Sequence, residues 1–223
     1  MDTTNVVIYG VLTVLFGALT LVVLRKDRNL VNLSFASGTF LLTFYSLLVG
    51  LYYINNDWLM LKFMGSTLGV IAPIGIFYSS LIIFDGRAVL RNYGWLVTFM
   101  VYSIIQVILV YQATFANDLV SRAAMNIFLN FPLALGLFGF VRVSRLIPEE
   151  QHKILLVSLG IGTAIIGLLA YSVLLLMESS IATLGLLLEV IGVSFMTLAF
   201  TNVFASGQSD QDYYPSSDSG VPS

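Results

Sequence analysis

The stretch that decides the fold is residues 181–204, IATLGLLLEVIGVSFMTLAFTNVF, in which Glu189 is the only charged residue. A transmembrane α-helix needs about 20 predominantly apolar residues to cross a hydrocarbon core of about 30 Å. Residues 181–204 meet that requirement, so they predict a membrane-spanning helix. Glu189 is also the only carboxylate that lies deep inside any long apolar run of the chain.

The rest of the chain has the same character. It has 223 residues, of which 58% are hydrophobic and 10% are charged, and its mean hydropathy is +0.93. A soluble domain carries about 25% charged residues. Because this chain has far fewer, the surface of the folded protein must be covered largely by the lipid bilayer. Apolar runs long enough to span a membrane occupy residues 6–24, 33–54, 59–84, 93–111, 123–143, 154–177 and 181–204. They are too long and continuous for barrel strands of about 10 alternating residues, and they predict an all-α bundle of seven transmembrane helices.

Basic residues predict the orientation of this bundle, because cytoplasmic loops hold the excess of Lys and Arg. The loops after the first, third and fifth runs are basic. They contain Arg25, Lys26, Arg28, Arg87, Arg91, Arg142, Arg145 and Lys153. The opposite side has only Lys62 and Arg122. The N-terminus is therefore predicted outside and the C-terminus inside, in an integral protein of the plasma membrane.

The predicted domain organisation is simple. The loops are too short to hold a further domain, so residues 1–204 form one seven-helix transmembrane domain. Residues 205–223 are rich in Ser, Asp, Gly and Pro. A segment of this composition lacks the apolar content to fold alone, and it is predicted to be a disordered, polar cytoplasmic tail.

Several functions are disfavoured by what the sequence lacks. It has no cysteine and one histidine, His152, so neither a thiolate site nor a His-based metal site is expected. Its net charge of −2 gives no basic face for nucleic acid. The last helix has no lysine to hold retinal, and no hydrolase or protease motif is present. We therefore expect no cofactor, no metal and no enzymatic activity.

Glu189 is the first candidate for function. It lies eight residues into its run, which places it about 12 Å below the outer end and near the middle of the bilayer. An ionisable group at that depth usually faces the bundle interior or a water-filled cavity. It is predicted to contact a ligand or a proton. The alternative is a structural acid, hydrogen-bonded between helices.

Other polar residues share this depth and are predicted to line a ligand-binding cavity with Glu189. They are Gln106, Asn126, Asn130, Tyr171 and Thr67. Asn126 and Asn130 are four residues apart, so they share one face of a helix. A cavity made by these residues would open to the outer side and admit a small-molecule ligand. The alternative for each residue is an interhelical hydrogen bond, worth about 0.6–2 kcal/mol.

Two prolines and a pair of glycines lie within the predicted helices. Pro73 and Pro132 each remove one backbone hydrogen bond and can kink a helix, so each is a candidate hinge; a packing role is the alternative. Gly65 and Gly69 form a GxxxG pattern, which lets membrane helices approach closely. Packing within the chain is favoured over a dimer interface.

One region resembles a known family. The basic first loop runs into Asn29-Leu30-Val31-Asn32-Leu33-Ser34-Phe35, and a second segment reads Asp57-Trp58-Leu59-Met60-Leu61-Lys62-Phe63, followed by Pro73 and Phe77-Tyr78. These segments resemble the seven-transmembrane sensor region found at the N-terminus of some histidine kinases. The resemblance covers most of residues 6–204, and its specific part is residues 25–84. It implies an N-out receptor module. In that family the seventh helix leads to a kinase or cyclase module, whereas here a short polar tail follows.

The sequence therefore predicts a stand-alone, sensor-like membrane protein that signals through a separate cytoplasmic partner. Two alternatives stay open at this point. One is a small proton-coupled transporter that uses Glu189, and the other is a non-catalytic subunit of a membrane complex.

Overall fold

The computed structural model describes residues 3–25, 29–85, 92–145, 151–177 and 182–206. Within these ranges the backbone forms seven α-helices and no strand. They are α1 (Thr3–Arg25), α2 (Leu30–Ile54), α3 (Leu59–Asp85), α4 (Tyr93–Phe115), α5 (Leu119–Ser144), α6 (Gln151–Leu176) and α7 (Leu184–Ser206). All seven are long and apolar enough to cross a membrane, which confirms the predicted fold class.

The predicted orientation stays a prediction. Four of the basic residues on which it depends, Lys26, Arg28, Arg87 and Arg91, lie outside the described residues. The predicted tail also lies outside them from residue 207 onward.

Six of the helices form a closed ring. α1 packs on α2 and α7, α3 joins α2 to α5, and α6 joins α5 to α7. The ring interior is filled by apolar side chains that include Leu12, Phe16, Phe35, Ile161 and Val193. α4 lies outside the ring, against α3 and α5, and Phe99 and Tyr102 of α4 pack with Phe77 of α3 in a small separate cluster.

Capping residues explain why several helices begin before the apolar runs do. The side chain of Asn29 accepts a hydrogen bond from the backbone N–H of Asn32 at the start of α2. Asp118 accepts from the N–H groups of Val120 and Ser121 at the start of α5. Such caps satisfy the free N–H groups of a first turn, so polar residues that lie outside an apolar run are helical.

Small residues bring the helices together, because lipid is as apolar as a leucine side chain and burial alone does not drive association. A Cβ atom at Gly65 would lie 3.0 Å from Leu48 Cβ, and one at Gly69 would lie 2.8 Å from the Tyr45 ring. The GxxxG pattern therefore packs against α2, as predicted. In the same way, Gly160 of α6 faces the backbone of Gly192 in α7.

Candidate functional site

The candidate site is a cavity at the end of the bundle where α1, α3, α5 and α7 begin. This end is called the amino end below, and it is the end that the sequence predicts to face outside. The space open to water-sized molecules is about 80 Å³, and all seven helices contribute lining residues. Its apolar lining includes Leu42, Val49, Val70, Leu129, Leu168 and Leu186. The polar groups that interrupt this apolar wall determine what it can bind.

Glu189 lines the cavity from α7. The helix begins at Leu184, after a turn in which Gly185 N–H bonds to Ala182 O and Leu186 N–H to Thr183 O. Glu189 is therefore five residues into α7, about 7–8 Å from its start. The helix begins later than the apolar run predicted, because Ala182 and Thr183 form a turn, and the depth of Glu189 in the membrane stays a prediction.

The Glu189 carboxyl group is enclosed by protein. The residue is 6% exposed, and its Oε2 atom is buried without a hydrogen-bond partner. Close contact between α6 and α7 places it there. A Cβ atom at Gly185, one turn before Glu189, would lie 2.6 Å from the backbone nitrogen of Tyr171. Because the two backbones approach so closely, Tyr171 and Glu189 line the same cavity.

α5 contributes Asn126 and Arg122, which are one helical turn apart. Asn126 is 6% exposed, and its Nδ2 atom is buried with no hydrogen-bond partner. The guanidinium of Arg122 donates from one terminal nitrogen to Asn117 Oδ1 over 2.7 Å, while its Nε atom is buried and has no partner. Asn117 has a φ of 51°, a left-handed conformation that asparagine tolerates well, and this places its side chain beside Arg122.

The remaining polar lining consists of Lys62, a group of tyrosines, Ser66 and Thr114. The Lys62 ammonium lies 4.9 Å from the centre of the Tyr52 ring, a cation–π contact. Tyr9 stacks on Tyr53 with ring centres 5.6 Å apart and meets Tyr45 edge-on at 5.8 Å. The hydroxyl oxygens of Tyr9 and Tyr45 are 3.3 Å apart and share one hydrogen bond. Tyr9, Tyr45, Tyr53 and Lys62 all line the cavity.

Three of the predicted site residues thus meet in one cavity, and three do not. Glu189, Asn126 and Tyr171 line it, whereas Gln106, Asn130 and Thr67 do not. The Gln106 amide donates to Tyr102 Oη and to Met125 O, both over 3.2 Å. The Asn130 amide and the Thr67 hydroxyl donate to carbonyls of their own helices. Each of these three thus has a protein partner, although Gln106 Oε1 and Asn130 Oδ1 are buried without one. Ligand contact stays a prediction for all six residues.

Sequence reasoning missed the two cations and the group of tyrosines. Lys62 and Arg122 served only as topology markers, although they are the only two cations on the predicted outer side. The spacing of Arg122 and Asn126, four residues apart on one helix, was the available signal. Tyr9, Tyr45 and Tyr53 come from two different helices, so no local pattern connects them.

The two candidate hinges lie in continuous helices. α3 runs through Pro73 and α5 runs through Pro132. Because proline has no N–H, Pro73 leaves the carbonyl of Gly69 without its usual donor four residues ahead. Gly69 and Val70 line the cavity, and Val70 O accepts a hydrogen bond of 3.0 Å from Tyr102 Oη. The turn before Pro73 is thus part of the site, and a hinge there stays a prediction.

No protein-family model, curated protein or solved structure matches this chain. Within the part of the chain that the structure describes, no group of three His, Asp or Glu residues is placed to hold a metal ion. The functional argument therefore depends on the cavity itself.

Proposed function

We propose that this protein is a seven-helix membrane sensor. A small polar ligand enters the cavity from the outer side of the plasma membrane. A cytoplasmic signalling partner then responds to the ligand-bound form of the protein. The observation that carries the proposal is the cavity at the amino end, where one buried side-chain atom of each of Glu189, Asn126 and Arg122 has no hydrogen-bond partner. Leaving such groups unsatisfied costs about 1–3 kcal/mol each, and a ligand that bonds to them removes that cost.

The proposed response is a shift of α3. The cavity contacts Gly69 and Val70 of this helix, and Pro73 weakens the hydrogen-bond ladder at the next turn. A ligand that binds one arrangement of α3 more tightly shifts the population toward it. The other end of α3 would carry this change to the cytoplasmic side. The proposal includes no catalytic step.

Ligand-dependent stability tests the proposal. The purified protein in lipid nanodiscs is screened against small polar metabolites by its thermal unfolding midpoint. A ligand present at 100 times its Kd stabilises the protein by about 2.7 kcal/mol, which raises the midpoint by several degrees. We expect Glu189→Gln to remove this shift and Ser172→Ala, a buried change outside the cavity, to keep it. The proposal fails if no compound shifts the midpoint, or if every shift survives Glu189→Gln.

A transport assay separates the sensor from its main alternative. Compounds that bind are tested for uptake into proteoliposomes under a proton gradient. We expect binding without uptake. Uptake that Glu189→Gln abolishes would contradict the sensor and support a proton-coupled transporter. The complex-subunit alternative predicts that neighbouring side chains fill the space beside Glu189, and the cavity argues against it.

A further inference from the structure

The unsatisfied atoms of the cavity include both hydrogen-bond donors and an acceptor, and together they indicate the kind of ligand that would bind there. Arg122 Nε and Asn126 Nδ2 are buried donors without an acceptor, and Glu189 Oε2 is a buried acceptor without a donor. The two donors lie one turn apart on α5, so they project from the same face of that helix. The acceptor belongs to α7. A ligand that satisfies all three must accept hydrogen bonds at one end and donate at the other.

The charged residues of the cavity agree with this arrangement of donors and acceptor. Lys62 and Arg122 line the cavity and interact electrostatically with each other, and like charges repel strongly away from bulk water. Lys62 contacts the Tyr52 ring, and Arg122 bonds to Asn117 Oδ1 and lies near Tyr171, and none of these neutral groups neutralises a charge. Asp118, the acid nearest to Arg122 in sequence, is engaged by Val120 and Ser121 at the start of α5. Among the residues that the structure describes, no carboxylate is therefore paired with either cation on this side of the cavity.

The part of the cavity lined by Glu189 favours a cation. Tyr45 lies close enough to Glu189 to interact with it electrostatically, and Tyr9 and Tyr53 extend the same aromatic wall. A carboxyl group beside aromatic rings provides both a hydrogen-bond acceptor and cation–π contacts for an ammonium group. The volume of about 80 Å³ holds roughly five to eight water molecules, which limits the ligand to a few heavy atoms.

We propose that the ligand is a small zwitterion whose carboxylate binds Arg122, Asn126 and Lys62 and whose ammonium binds Glu189 beside the tyrosines. This inference rests on the proposed function and adds the chemical class of the ligand. Charge-assisted hydrogen bonds at both ends are the strong ones. A ligand with only one charged group leaves the other end of the cavity unsatisfied.

A series of ω-amino acids tests the inference, because it varies the distance between the two charges. Glycine, β-alanine, 4-aminobutyrate and 6-aminohexanoate are titrated into the protein in nanodiscs by calorimetry, with propionate and propylamine as single-charge probes. We expect one chain length to bind best, and about tenfold or more tighter than either single-charge probe, because it gains charge-assisted bonds at both ends. The inference is overturned if no member binds, or if propionate or propylamine binds as tightly as the best one.

Three variants test which residues bind the carboxylate of the ligand and which bind its ammonium group. Arg122→Gln should weaken the best zwitterion and propionate about 10- to 100-fold, because charged hydrogen bonds are lost. Glu189→Gln should weaken the zwitterion and propylamine but not propionate. Arg145→Gln, an exposed cation at the other end of α5, should change nothing. If Arg122→Gln does not fold, Arg122→Lys keeps the charge but lacks the Nε donor, and it should weaken propionate less severely.

The outcomes also separate this inference from the proposed function. Suppose an uncharged ligand binds in a way that depends on Glu189 but not on Arg122; the sensor proposal then stands and the zwitterion is wrong. If the zwitterion binds equally to the Arg122 and Glu189 variants, its site lies elsewhere and both proposals fail.

Discussion

At the scale of single residues, Glu189 separates two interpretations most clearly, because a buried acid either stabilises the helix bundle or binds a ligand. A structural acid is hydrogen-bonded to a neighbouring helix, as the Gln106 amide nitrogen is to Met125 O of α5. Glu189 instead borders open space with Oε2 unsatisfied. Binding groups are often kept at a cost in stability, and Glu189 fits that pattern.

Replacing Glu189 by a similar apolar residue should therefore stabilise the empty protein. We expect Glu189→Leu to raise the free energy of unfolding by about 1–3 kcal/mol, the cost of an unsatisfied buried group. Thr39→Val is the control and should lower it, because the buried Thr39 hydroxyl is bonded to Thr20 and to a carbonyl of its own helix. Both are measured by denaturant unfolding in mixed micelles. A loss of stability in Glu189→Leu as large as in Thr39→Val would identify the carboxyl as structural.

Asp118 gives a pH-dependent prediction outside the membrane-spanning segments. Hydrogen bonds from the Ser121 hydroxyl and from the Ser121 and Val120 N–H groups lower the pKa of this carboxyl from its ordinary 3.8. A lowered pKa stabilises the folded state above the unfolded pKa, and this stabilisation is lost as pH falls through the folded pKa.

We thus expect Asp118→Ala to unfold at a lower temperature than the wild type at pH 7, by a small margin because the carboxyl is exposed. The margin should narrow below pH 3.8. Asp57→Ala removes an acid from another loop of the amino end and is the control. Thermal scans across pH check the result, and a margin that stays constant down to pH 2 would show that ionisation of Asp118 adds nothing to the cap.

At the scale of elements, the contact between α6 and α7 positions the site. Gly160 and Gly192 face each other at one crossing, and Gly167 and Gly185 at another. These close approaches fix Glu189 relative to Tyr171. Helix packing of this kind in lipid depends on fit more than on burial.

One added methyl group tests that contact. In Gly160→Ala the new Cβ would lie 2.5 Å from Gly192 O and 2.6 Å from Met196 Cγ, so α7 must move. We expect a loss of about 1–3 kcal/mol of stability and weaker ligand binding. Gly162→Ala on the same helix meets only Leu137 Cδ2 at 3.9 Å, and it should be neutral or stabilising by up to about 1 kcal/mol. Equal stability of the two variants would contradict the packing described here.

The helices themselves were predictable because the membrane imposes a minimum apolar length. Their ends were less so. Asp118 extends α5 before its apolar run by capping it, while Ala182 and Thr183 form a turn instead of extending α7. Hydropathy identifies apolar runs that are long enough to span a membrane. Caps and turns depend on local hydrogen bonds, which hydropathy does not measure.

At the scale of the whole molecule, the ring of six helices encloses a polar cavity at the amino end, and α4 lies against α3 and α5. The sequence indicated which residues are polar and deep, but not which of them meet. Depth alone could not distinguish Gln106, which bonds to its neighbours, from Asn126, whose side-chain amide nitrogen has no partner. That distinction depends on the rotation of each helix, and packing across the ring sets the rotation.

Cysteine accessibility tests the central claim most directly, since the natural chain has no cysteine. Single variants Ser66→Cys in the cavity, Ser172→Cys in the core and Arg145→Cys at the far end of α5 are treated with a membrane-impermeant thiol reagent. We predict that Ser66→Cys reacts in intact cells, that Arg145→Cys reacts only after permeabilisation, and that Ser172→Cys reacts in neither. Reaction of Ser66→Cys only after permeabilisation, or not at all, would contradict a binding cavity that opens to the outside.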